Sequence, residues 1–275
     1  MNPALWGTLT AFGWGTADFA ARFSGRALGH ANALLGMLLV GSVVLTAWVG
    51  LTGPRLVWDP AAAWLLLVTG VGVMAATLLL YQGLARGPVT IVAPIVGSYP
   101  ALVVAIAVLL GARPSGVQWT AMAAVMAGVV IVARAAGGFE ARGAFERVHL
   151  RKTVGIALVS SCAFALAISA GQAATPVFGE LQTLWVTRLV SLAALVPIFL
   201  LPGQQVRLTL AWWPVLAAQG LLDSGAYLAL FSGSLGAGAE MAAVTASAFG
   251  AVTVLLARIF LREAMSRPQW GGIVL

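Results

Sequence analysis

The sequence predicts an all-α integral membrane protein of ten transmembrane helices, built as two inverted five-helix repeats. Three observations predict it. Apolar residues make up 61% of the 275-residue chain and charged residues 8%, about a third of the share in an ordinary soluble domain. So few charges cannot cover a water-facing surface, so the exterior faces lipid, where chains cross as helices with their backbone groups bonded internally. Turn signals divide the chain into ten apolar stretches, and the chain matches itself when shifted by 151 residues.

The first span runs from about Pro3 to Ala21 and the second from about Ala31 to Leu51. Asp59-Pro60 supplies an N-cap and a first-turn proline for the third, which ends near Ala85. Pro88 opens the fourth, ending near Leu110, and Ser115 opens the fifth, ending near Ala133. A polar stretch, Arg134 to Lys152, is the one sizeable linker. The sixth span covers about Thr153 to Ala174, broken by Thr175-Pro176. The seventh covers Gly179 to Leu201, the eighth Ala211 to Phe231 and the ninth Ala239 to Leu261. Ser266 to Leu275 begins a tenth that is too short to span, which reads as a truncated final helix.

At the 151-residue shift, Leu84 meets Leu235, Gly87 meets Gly238, Val103 meets Val254 and Leu110 meets Leu261. Ser115 meets Ser266, and Gln118-Trp119 meets Gln269-Trp270. The expected organisation is a first repeat over 1–135, a connecting loop over 136–152 and a second repeat over 153–275. Five spans per repeat is an odd number, so the second repeat inserts upside down, and a binding site is expected near the midplane where the halves meet.

The formal net charge is +7. Its basic residues are scattered between apolar runs and include a single lysine, Lys152, so no nucleic-acid-binding face forms. The cluster Arg142, Arg147, Arg151 and Lys152 suits a short cytoplasmic loop. Loops after odd spans hold about twelve Lys and Arg and the others about two, which places the linker inside and both termini outside. The single cysteine, Cys162, forms no intramolecular disulfide. The first apolar stretch lacks a basic leader and a cleavage site, and reads as a retained span. Most of the ten tryptophans, Trp48, Trp58, Trp64, Trp119, Trp212, Trp213 and Trp270 among them, sit at span ends as an interfacial belt.

The repeat resembles the drug/metabolite transporter superfamily in its ten-span, EamA-type form. The resemblance lies in Pro100, then Leu110-Gly111-Ala112 and Gln118 in the first half, and in Leu261-Arg262-Glu263, Gln269 and Gly271-Gly272 in the second. Ala112 stands where that family often has Glu, and Ala251 where it often has Pro. Within the superfamily the chain is most similar to bacterial aromatic amino-acid exporters. That similarity implies the bacterial inner membrane, export of aromatic or bulky neutral amino acids, and termini in the cytoplasm, opposite to the arginine distribution.

Ionisable groups deep in a span are costly, so each is a candidate for function. Asp223 lies mid-way along the eighth span with Gln219 and Tyr227 on the same face. It suits a substrate ammonium, with an aromatic ring stacked on Tyr227, or alternatively a structural bond to a neighbouring helix. Arg188, in the seventh span beside Trp185, either meets a substrate carboxylate or pairs with Asp223 or Asp18 across the bundle. Asp18, between Trp14 and Arg22, reads as an i,i+4 ion pair near the interface. Trp14, Trp185, Tyr81, Phe249, Ser98 and Thr245 complete the candidate lining, with Gln172 as a further polar position. Tyr99 sits at a break set by Pro94 and Pro100, which free the Thr90 and Val96 carbonyls in the fourth span, with Gly97 as a further conformational position.

Enzymatic readings find no support. His30 and His149 fall in loops, and no H-E-x-x-H, G-x-S-x-G or P-loop pattern occurs. No His/Cys cluster suits a metal and no cofactor is implied. The partners expected are the bilayer and a small-molecule substrate held between the repeats.

Overall fold

A computed structural model of the chain describes residues 2–53, 55–109, 144–235, 245–262 and 266–274, with Ala242 and single positions between 111 and 131. Regular structure among these residues is entirely helical. The elements are α1 (Pro3–Leu28), α2 (His30–Thr52), α3 (Ala63–Arg86), α4 (Val89–Gly97), α5 (Tyr99–Leu109), α6 (Ala144–Phe178), α7 (Glu180–Leu195), α8 (Trp213–Gly233), α9 (Phe249–Phe260) and α10 (Arg267–Val274). Most of the fifth expected span, the linker up to Gly143, Ala112, Gln118, Gly238, Glu240 and Glu263 lie outside the described residues.

Six described stretches are long and apolar enough to cross a membrane: His30–Thr52, Ala63–Arg86, Val89–Ile106, Val148–Phe178, Glu180–Leu200 and Leu210–Gly233. Helix α1 is as long, at 26 residues, but richer in polar groups. Its position explains them: it packs on α2, α3, α8 and α9 and buries Thr10, Asp18, Arg22 and Ser24 away from the exterior. Apolar side chains such as Leu67, Val71, Val159, Leu166 and Ile259 face outward. This inside-out distribution suits a lipid solvent.

Local chemistry sets the boundaries. The Asn2 side chain caps the Ala4 N–H at 3.0 Å, with Pro3 in the first turn of α1. Asp59 accepts from the Ala61 N–H at 2.9 Å in a turn ahead of α3, whose own N-cap is Ala62, so the expected Asp59-Pro60 cap lies about one turn upstream of the helix. Gly29 and Gly179, at φ 86° and 76°, take the left-handed backbone that ends α1 and α6.

Some boundaries differ from expectation. Helix α1 runs on to Leu28 because Arg26 donates to the Ala85 carbonyl at 3.1 Å and Arg22 to the Gly87 carbonyl at 2.8 Å. Helix α6 starts at Ala144, so the second half of the expected 136–152 loop is helical and His149 lies on a helix. It also continues through Thr175-Pro176 to Phe178. There Thr175 returns its hydroxyl to the Gly171 carbonyl at 2.8 Å, and a proline near the end of a helix removes little. The fourth span is two helices, α4 and α5, meeting at Ser98.

The halves correspond at an offset of 150 residues through their first three helices. Thr10 donates to the Ala226 carbonyl at 3.0 Å, and Ser160 to the Ala76 carbonyl at 2.8 Å. Gly70 packs against Val190 and the Thr187 carbonyl, and Gly220 against Val40 and the Met37 carbonyl. The left-handed glycines Gly29 and Gly179, and Gly53 and Gly203, keep the same spacing. Beyond α3 the offset becomes 151: Gly111 and Arg262, both at positive φ, are so related. Helices α4 and α9 cross where the backbone of Gly250 meets the Ala93 carbonyl.

Candidate functional site

A cavity lies at the centre of the bundle, lined by Trp14 and Asp18 of α1, Thr77 and Leu80 of α3, Tyr99, Phe164 of α6, Asp223 and Tyr227 of α8, and Phe249. It measures about 20 Å³, room for about one water. The 150-residue relation recurs in its walls, since Phe164 is the counterpart of Trp14 and Tyr227 that of Thr77.

Aromatic rings form most of the lining. Trp14 meets Tyr227, Phe249 and Tyr99 edge to face at centroid distances of 4.7, 5.8 and 6.5 Å. Tyr99 in turn lies 6.2 Å from both Phe249 and Phe164. Such offset pairs favour stacking of a further ring or a cation.

Charge enters from α7 and α8. The Arg188 guanidinium pairs with the Asp223 carboxylate, both residues being buried, and lies 4.8 Å from the Tyr227 ring centroid. The pair is the partner across the bundle that the sequence offered as one reading of Arg188. Breaking such a pair leaves a bare charge in low dielectric, which is far costlier than the pair itself. Asp18 adds a second carboxylate to the lining. Three buried polar atoms beside this cluster have no hydrogen-bond partner among the described residues: the Tyr99 and Tyr227 hydroxyls and Arg188 Nε. An unsatisfied buried polar group is costly unless a ligand or water takes it up.

The structure thus brings together Trp14, Tyr99, Asp223, Tyr227, Phe249 and Arg188. It places the other candidates elsewhere. Gln219 accepts from Ser24 at 2.9 Å and donates to the Tyr81 hydroxyl at 3.2 Å, and Tyr81 reaches the Met37 sulfur at 3.4 Å. That buried network ties α1, α2, α3 and α8 together one turn away from the cavity lining. Trp185 donates to Thr46 at 2.9 Å at an exposed site. Thr245 packs on Gly7 of α1. Ser98 returns its hydroxyl to the Ile95 carbonyl at 2.6 Å and lies 3.4 Å from Ser161. Ser161 donates to the Val96 carbonyl at 3.4 Å, so this carbonyl, freed by Pro100, is satisfied by α6. Pro94, Gly97 and Pro100 therefore shape the break that sets Tyr99 in the wall, without lining the cavity themselves. Thr77, Leu80 and Phe164 are lining residues that sequence reasoning passed over; the 150-residue offset from Tyr227 and Trp14 would have found two of them.

A larger hollow of about 700 Å³ opens outward between α1 and α8, lined by Leu9, Phe12, Leu221 and Leu228 with Glu180 as the one charged residue among the described lining. Its apolar lining faces the lipid side and converges on no polar cluster.

A model of the EamA-like transporter family matches the chain twice, over residues 1–134 and 151–275. The chain belongs to the EamA-like transporter family. Members are transporters and not enzymes, and this EamA-like protein is accordingly a multi-pass membrane transporter of small molecules with the family's two-repeat fold. Among solved structures 22 chains match. One, described only as a crystal structure of a protein, is 18% identical and superposes with a TM-score of 0.70 over 99% of this chain and 93% of its own. That likeness shows the shared fold. Among curated proteins no match is found.

Proposed function

We propose that this EamA-like transporter exports small organic metabolites, aromatic or bulky neutral amino acids foremost, from the cytoplasm of a bacterium across its inner membrane. Ten helices in two inverted five-helix repeats, over 1–135 and 153–275, rock about the central cavity and expose it to each side in turn. The observation that carries the reading is the buried Arg188–Asp223 pair at the edge of an aromatic cavity.

An α-amino acid carries the same two charges as that pair. Its ammonium takes Asp223, its carboxylate takes Arg188, and its side chain packs among Trp14, Tyr99, Tyr227 and Phe249. Between substrates the two residues neutralise each other, so neither charge is left bare in the membrane. With room for about one water, the cavity is in a contracted, substrate-excluding state and widens to load.

The test is uptake of labelled tryptophan, phenylalanine and alanine into proteoliposomes, with and without a proton gradient. Saturable uptake of the aromatic pair, lost in Asp223→Asn, supports the reading. Handling of aromatic substrates that is unchanged in Tyr99→Ala overturns the stacking role. A second reading, a drug or organic amine as cargo, is favoured by Asp18, which gives the cavity two carboxylates against one guanidinium. Competition by aromatic amines lacking a carboxylate separates the two.

A further inference from the structure

Asn32 and Gln182 stand 150 residues apart, each in the first turn of the second helix of its half. Both are polar, yet buried, and both spend their carboxamides on backbone of the opposite half. Asn32 of α2 donates to the Gln205 carbonyl at 3.1 Å and accepts from the Arg207 N–H at 2.8 Å. Gln182 of α7 accepts from the Val57 N–H at 2.8 Å and donates to the Val57 carbonyl. Val57 and Arg207 are themselves 150 residues apart. Each carboxamide thus grips the irregular segment that follows the second helix of the other half, using donor and acceptor together.

The two grips lie at opposite ends of the bundle. Helices α2 and α7 pack on each other. The start of α2 meets the segment beyond the end of α7, and the start of α7 meets the segment beyond the end of α2. The pair of helices is therefore antiparallel, with one grip at each membrane face. Both are closed while the cavity between them has room for about one water. The segments they hold, 55–62 and 201–209, lead into α3 and, through a 3-10 turn at Leu210–Trp212, into α8, which carry Thr77, Leu80, Asp223 and Tyr227 of the cavity wall.

We infer that Asn32 and Gln182 are paired latches of the transport cycle. Each holds its own end of the cavity shut, and opening to one face releases that latch while the other stays closed. The inference rests on the alternating-access reading above. It goes beyond it by assigning the two closed ends to two named side chains outside the binding cavity. A latch of two hydrogen bonds, lost on one side only, shifts the ratio of the two open states by about tenfold.

The experiment uses the full chain with Cys162→Ala and a reporter, Thr77→Cys, in the cavity. A membrane-impermeant maleimide is applied to right-side-out and to inverted vesicles, alongside uptake and thermal stability. Asn32→Ala is expected to raise labelling from the face holding Gln205–Arg207 and to lower it from the other. Gln182→Ala is expected to do the reverse, and the double variant to return the ratio toward wild type. Asn32→Gln, which keeps donor and acceptor, is expected to stay near wild type and guards against a folding failure in the alanine variant. Labelling ratios that move in the same direction in both alanine variants, or stay fixed while only stability falls, overturn the latches with the transport reading intact. A cavity labelled from one face alone in every variant, including wild type, overturns the alternating-access reading and the latches with it.

Discussion

Trp14 and Phe164, 150 residues apart, stand in the same cavity wall, both in contact with Tyr99: one directly edge to face, the other at 6.2 Å. The two halves of the chain thus each place one ring in the chamber at this equivalent position, while the charged pair on it comes from α7 and α8 only.

That pair gives the first prediction. Asp223→Asn leaves the Arg188 guanidinium buried without its anion, at a cost of about 3–5 kcal/mol. The melting temperature of the detergent-solubilised protein is expected to fall sharply. The double variant Arg188→Leu/Asp223→Leu removes both charges and is expected to recover most of the loss, while uptake of zwitterions stays abolished.

The unpartnered tyrosine hydroxyls give the second. Tyr99→Phe and Tyr227→Phe each remove a buried group that bonds to no described residue. Stability is expected to hold or to rise by up to about 1 kcal/mol, since an unmet desolvation cost disappears. Substrate affinity is expected to weaken wherever these hydroxyls bond the cargo. Thermal melts and uptake kinetics read the two effects separately, and a destabilised Tyr227→Phe would show that its hydroxyl is satisfied in the folded state.

Helix approach gives the third. A methyl group on Gly220 would stand 2.7 Å from the Met37 carbonyl, and one on Gly70 2.9 Å from the Thr187 carbonyl. Gly220→Ala and Gly70→Ala are each expected to cost about 1–3 kcal/mol through forced separation of the helices. Gly50, with no atom near its added carbon, is the control: Gly50→Ala is expected to be neutral or to gain about 0.5–1 kcal/mol in helix propensity.

Orientation gives the fourth. Arg26, Arg86, His149 and Arg207 gather at the end where α1 passes to α2 and α3 to α4. Excess positive charge is retained on the cytoplasmic side. In a Cys162→Ala background, Gln204→Cys is expected to react with an impermeant thiol reagent only from the cytoplasmic face, and Leu56→Cys only from the outer face. The reverse pattern would favour the orientation implied by the family resemblance.

Much of the helical framework was legible in the sequence because spans are long and apolar and their breaks fall at Gly, Pro and Asp. Its register was not. The 151-residue match rests on identities from Leu84 to Trp119, all but Leu84 beyond the end of α3, where one residue separates the two offsets. In the first three helices the identities at the 150-residue offset are mostly Gly, Ala and Leu, such as Gly70 and Gly220, which recur by chance in so apolar a chain, while the positions that share a contact or a wall differ in identity: Thr10 and Ser160, Asn32 and Gln182, Trp14 and Phe164. Counting identities cannot see a shared hydrogen bond or a shared wall. The site was legible in part for a similar reason. Asp223 and Tyr227 share a face at helical spacing, but Gln219, on that same face, sits one turn further toward α1 and is absorbed by Ser24 and Tyr81. Arg188 and Asp223 meet only because α7 and α8 run side by side, a fact of packing that no spacing rule contains.

The uneven placement of charge in a chamber to which both halves contribute has a consequence for how cargo sits. A chamber with true twofold symmetry accepts a molecule equally well in either of two opposed poses. Here the counterparts of Arg188 and Asp223 at the 150-residue offset are Leu38 and Val73, which offer a head group nothing. If the cavity holds a zwitterion as proposed, its head group is polarised in one sense only: it enters head-first toward α7 and α8 and leaves with its tail toward α2 and α3, whichever face is open.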